Sequence, residues 1–161
     1  MKIGKRRLTT QRHALDARLR AWTALRGQPI PKAGWTRAIR EALGLTSRQL
    51  AARMKTNFQN LQRLEQREVK RTVTLASLDR AARAMHCRLV YAIVPVEPHS
   101  SLEDIVAAQA HALAQKLTSR AAHSMRLEGQ GVGEDETTAQ IDALTDELKR
   151  ELDSRIWALQ P

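Results

Sequence analysis

The side chains best suited to recognition chemistry fall within residues 45–65, LTSRQLAARMKTNFQNLQRLE. Asn57, Phe58, Gln59, Asn60, Gln62 and Arg63 gather amides, one guanidinium and one aromatic ring in a short stretch. Amides pair bidentately with the adenine edge in a DNA major groove, guanidinium groups with the guanine edge, and apolar groups with the thymine methyl. Ser47, Arg48, Gln49, Arg53, Lys55, Lys70 and Arg71 surround that stretch with groups suited to phosphate oxygens. No combination of nucleophile, base and orienting group assembles anywhere, so catalysis is not expected. The histidines at 13, 86, 99, 111 and 123 never stand four residues apart and join no ligand cluster, so no metal site is expected. Gly129-Gln-Gly131-Val-Gly133 follows a helical stretch where a dinucleotide loop would follow a strand, so no cofactor is expected.

Such a reading face needs two short helices held at a fixed angle. Thr46-Ser-Arg-Gln49 has the spacing of a capping box and opens a helix through Met54. After a turn at Lys55-Thr56, Asn57 caps a second helix through about Gln66, with Leu61 and Leu64 facing a core. The spacing is that of a helix-turn-helix. Apolar residues at steps of three and four predict further helices. These run over 9–26 (Leu15, Leu19, Trp22, Leu25), 35–43, 75–85 (Leu75, Leu78, Ala82, Met85), 102–125 and 137–159. Arg88-Leu89-Val90-Tyr91-Ala92-Ile93-Val94 is the one strand candidate. A lone strand leaves its edges unpaired, so pairing with a second copy is expected.

The chain has 161 residues and a net charge of +10. Residues 1–99 hold 21 Lys/Arg against 6 Asp/Glu, whereas residues 100–161 hold 6 against 11. A basic front suits a polyanion and an acidic rear suits a different partner. Three Trp, one Tyr and one Phe are too few for a base-stacking sheet, and one cysteine excludes an internal disulfide framework. No apolar run is long enough for a membrane span or a signal segment, so a cytoplasmic protein is expected. The fold expected is mainly α, a helix-turn-helix core with an N-terminal helix, one dimerising strand and a C-terminal helical extension. Its divisions are 1–31, 32–95 and 96–161.

Residues 35–86 resemble the phage repressor/Cro family of helix-turn-helix proteins. The resemblance rests on Arg40-Glu-Ala-Leu-Gly-Leu45, Gln49-Leu-Ala51 and Asn57 through Glu65. It implies that Arg40 pairs with Glu65, that Phe58, Gln59, Asn60 and Arg63 read bases, and that Ser47 meets a phosphate. Phe58 departs from the polar residue usual there, and Lys55 stands where the family's turn carries glycine.

Residues 8–159 also resemble the mobile mystery protein A family. The resemblance is carried by PKAGWTRAIREALGLTSRQLA, TLASLDRAARAMHCRLVYAIVP and the rear segment MRLEGQGV. It implies an antitoxin paired with a Fic-domain AMP-transferase toxin. The inhibitory motif, Ser/Thr-x-x-x-Glu-Gly/Asn, matches Ser124, Glu128 and Gly129. Glu128 would then present its carboxylate to the toxin arginine that otherwise holds the ATP γ-phosphate. The function expected is an autorepressing, homodimeric antitoxin on a palindromic operator whose half-sites lie about one helical turn apart. A reading of different class is a stand-alone dimeric repressor whose C-terminal half serves only dimerisation or ligand binding.

Overall fold

The computed structural model describes residues 4–127, 134–151 and 154–158. The protein is mainly helical: α1 (Lys5–Thr23), α2 (Trp35–Ala42), α3 (Ser47–Arg53), α4 (Phe58–Val69), α5 (Leu75–Ala84), α6 (Leu102–Leu127), α7 (Glu134–Glu151) and a final 3-10 turn, Ser154–Trp157. These elements divide between two compact units, Gly27–Ala92 and Met1–Arg26 with Ile93–Pro161.

In the Gly27–Ala92 unit each helix start is secured by a side chain. Thr46 Oγ1 accepts from the Gln49 amide at 3.2 Å while Gln49 Oε1 accepts from the Thr46 amide at 2.8 Å, closing the capping box of α3. Asn57 and Thr74 cap α4 and α5 by accepting from the Asn60 and Ser77 amides. The start of α2 has no local cap. There the carboxylate of Glu68, the penultimate residue of α4, accepts from the backbone amides of Trp35 and Thr36 at 2.8 and 3.1 Å. Helices α2 to α5 end alike: the residue after the C-cap turns to positive φ, and its amide and the next reach back to carbonyls of the last turn. Gly44 serves in this way after α2, but Lys55, Arg71 and His86 do so after α3, α4 and α5. Leu50, Ala51, Met54, Leu61, Leu64, Ala81 and Met85 form the core. Leu75, expected inward, is exposed: it is the first residue of α5, and the core takes Ala81 and Met85 from further along the helix.

The other unit is built on α6. Val106, Ala110, Leu113 and Ala114 pack with Leu148 of α7 and Ile156 of the 3-10 turn. Helix α1 joins through polar contacts. Asp16 accepts from the amides of Leu102 and Glu103 at the start of α6, at 2.7 and 3.3 Å, and Arg12 Nε lies 2.6 Å from Glu103 Oε2. Arg26 closes the segment before α6, donating to the carbonyls of Pro95 and His99 and to Glu97. Of the stripe expected to pack, Leu19 and Trp22 are half-buried, whereas Leu15 is exposed and Leu25, also exposed, falls beyond the end of α1.

In the single chain no strand is present among the described residues, and residues 87–96, which include the Arg88–Val94 strand expected to pair with a second copy, have no regular structure. A strand exists only through backbone bonds to a neighbour, and one chain supplies none here. Tyr91 and Ile93 are 68% and 87% exposed.

Candidate nucleic-acid interface

Four residues, Met54–Asn57, join α3 to α4. The reversal depends on Lys55, whose φ of 52° lets the Thr56 amide donate to the Ala51 carbonyl at 2.9 Å. An L-residue in that conformation costs about 1–2 kcal/mol relative to its usual region. Asn57 Oδ1 then accepts from the Asn60 amide at 2.8 Å, and Asn60 Nδ2 donates to Thr56 Oγ1 at 3.3 Å. Asn57 and Asn60 therefore build the start of α4 with part of their hydrogen-bonding capacity.

Leu61, Leu64 and Glu65 turn one face of α4 inward. Opposite them Gln59 and Arg63 are exposed one turn apart, with Gln62 beside them, and none of the three side chains bonds to another of the described residues. Phe58, 39% exposed, neither fully packs nor fully projects. Arg48 and Gln49 are exposed and Ser47 is half-buried at the start of α3. The Gln49 carbonyl oxygen is committed to the capping box. Lys70 and Arg71 are exposed just beyond α4.

The sequence pattern predicts an end to α4 near Gln66, but the helix runs to Val69. That extra turn adds Gln66 and Arg67 to the outward face at the helical spacing from Gln59 and Arg63. Arg67 spends one nitrogen on the Thr72 carbonyl at 3.0 Å. Continuing the 3.6-residue period through Gln66-Arg-Glu-Val69 is the signal that finds them.

The angle of α4 is set against α2 by two carboxylates. Arg40 Nε donates to Glu65 Oε1 at 2.8 Å and its Nη2 to Glu65 Oε2 at 3.4 Å, with both side chains under a tenth exposed. Arg40 Nη1 also donates to the Leu45 carbonyl at 3.1 Å. Glu68 supplies the second link through the amides that open α2. Gly34 permits it, because a Cβ there would stand 3.0 Å from the Glu68 carboxyl carbon. On the surface of α2, the Arg37 guanidinium holds the Glu41 carboxyl below the ordinary carboxylate range.

Charge separates sharply between the units. Gly27–Ala92 contains thirteen Lys/Arg and four Asp/Glu, a balance of +9, whereas the other unit carries the remaining +1. All four of those carboxylates are engaged: Glu41, Glu65 and Asp79 with Arg37, Arg40 and Arg83, and Glu68 with backbone amides. Ten cations of the unit thus have no carboxylate partner among the described residues. Clustered uncompensated charge of this kind attracts phosphate polyanions.

In the rear, Ser124 belongs to the last two turns of α6, while Glu128 and Gly129 lie outside the described residues. Among the described residues no group of His, Cys, Asp and Glu is placed to hold a metal ion, and no helix is long and apolar enough to cross a membrane. No family model, curated protein or solved structure matches this chain.

Proposed function

We propose that Gly27–Ala92 is a helix-turn-helix DNA-binding module in which α3 and its flanks meet phosphates and α4 reads bases. The observation carrying this reading is the outward face of α4. Gln59, Gln62 and Arg63 have no partner there among the described residues, within a unit whose carboxylates are all spent internally. Free amides and a guanidinium on a rigid helix match the edge pattern of base pairs, and the surrounding cations match the backbone. Binding of a duplex from the region upstream of the protein's own gene tests the reading, against a random duplex of equal length. Gln59→Ala and Arg63→Ala reduce the preference for the upstream duplex, by about 1–3 kcal/mol for each bidentate pairing with a base edge. Equal weakening on both duplexes rejects base reading by α4.

The same reading makes the protein a homodimer paired through Arg88–Val94, supported by the exposure of Val90, Tyr91 and Ile93. Two-fold symmetry then requires a palindromic operator. Sedimentation of the full chain tests this, and a monomer at concentrations that saturate the duplex rejects it. Resemblance in the sequence, through Ser124-Met-Arg-Leu-Glu128-Gly129, extends the proposal to an antitoxin that restrains a Fic-domain AMP-transferase. A co-expressed Fic protein encoded beside this gene is released by Glu128→Gly if that extension holds. Full inhibition by the variant rejects it.

A further inference from the structure

The free cations of Gly27–Ala92 are not confined to α4. Arg53 and Lys55 at the end of α3, with Arg80 and Arg83 of α5, line an open cleft of about 540 Å³. Its one carboxylate, Asp79, is taken up by Arg83 at 2.9 Å. Among the described residues Arg53 makes only a 3.4 Å contact with the Ala84 carbonyl, and Lys55 and Arg80 have no side-chain partner. Four positive charges against one negative in a concave surface focus the field on an anion.

Lys55 adds a second, independent observation. It occupies the left-handed position where glycine would stand with less strain, yet a lysine stands there and forms part of the cleft wall. Two residues later comes Asn57, the cap of α4, so in the chain this wall of the cleft directly precedes the helix proposed to read bases. Arginines and a lysine around an open, mostly uncovered hollow suit the spaced oxygens of a phosphodiester strand better than an enclosed small molecule.

We infer that this cleft is a second phosphate-backbone site, gripping a strand of the same duplex that α4 reads; the inference rests on the DNA-binding reading above. The test uses the full chain and a fluorescently labelled random duplex of about 20 base pairs, long enough for two half-sites. Affinity is measured over a series of salt concentrations for wild type and for Lys55→Gly combined with Arg80→Ala. Glycine relieves the backbone at 55 and alanine suits the exposed turn of α5, so the variant keeps its fold, which circular dichroism verifies. Removing one phosphate interaction lowers the slope of log K against log salt by about 0.9, so the double variant falls by about 1.8. Salt-dependent binding with an unchanged slope in the variant overturns the cleft assignment alone. If the wild type binds no duplex, the DNA-binding reading fails and the cleft assignment falls with it.

Discussion

Replacing Glu65 by leucine isolates the link that sets α4 against α2. In the wild type the Arg40 guanidinium has two hydrogen bonds to Glu65, at 2.8 and 3.4 Å, one to the Leu45 carbonyl at 3.1 Å, and Glu41 at 3.5 Å. Leucine removes the pair and leaves a charge whose side chain is 8% exposed. Breaking a buried pair from one side costs about 3–5 kcal/mol, because the remaining charge is neither hydrated nor neutralised. Glu41 and the Leu45 carbonyl still face the guanidinium, which places the cost near the lower bound, about 3 kcal/mol. At about 1.4 kcal/mol per factor of ten, local opening becomes over a hundredfold more frequent. Native-state hydrogen exchange followed by mass spectrometry reads this in peptides from α2 and α4, with peptides from α6 and α7 as the internal reference. The double variant Arg40→Met with Glu65→Leu removes both charges and recovers most of the stability. Acceleration below about fivefold in the single variant, or simple additivity in the double, refutes the argument that an orphaned charge dominates.

Three further outcomes follow from particular contacts. Gly34→Ala forces a Cβ toward the Glu68 carboxylate at a φ of 80°, so α2 loses its cap and the unit about 1–3 kcal/mol, measurable by urea unfolding. His86→Gly relieves the left-handed residue that ends α5 and stabilises the same unit by about 0.5–1 kcal/mol in the same urea unfolding. Asp104 accepts from the hydroxyl and amide of Ser100 and from the Ser101 amide, which lowers its pKa from the ordinary 3.8. The ionised form is the one favoured by folding, so this contribution is fully present above that ordinary value and is lost as pH falls through the lowered one. Asp104→Asn flattens that part of an acid titration followed by circular dichroism; an identical profile in the variant shows that the start of α6 does not depend on this carboxylate.

Much of the Gly27–Ala92 unit is legible in local sequence because its signals act over three or four residues. Thr46, Asn57 and Thr74 each cap the helix whose apolar period begins just after them. The end of α4 is less legible. Nothing local announces that Arg71 will take the left-handed position, and a sequence reader waits for a glycine. Glu68 is invisible for a similar reason, since the amides it caps lie 32 and 33 residues earlier in the chain. The partly covered stripe of α1, with Leu19 and Trp22 half-buried and Leu15 exposed, shows the limit of periodicity: it locates a helix and its apolar face but not how far another element covers that face.

By itself the sequence determined that the protein is helical, where the amides and guanidinium of α4 lie, and that cations dominate residues 1–99. Composition, caps and period are local quantities, and they survive without any knowledge of packing. Only the tertiary structure decided how the charge is shared. The basic α1 joins the acidic rear through Arg12, Asp16 and Glu103, and that unit is left nearly neutral. The intervening unit spends its few carboxylates on Arg37, Arg40, Arg83 and the amides of α2, so its excess stays uncompensated. Which charges cancel depends on distances of a few ångströms between residues far apart in the chain, and only folding sets those distances.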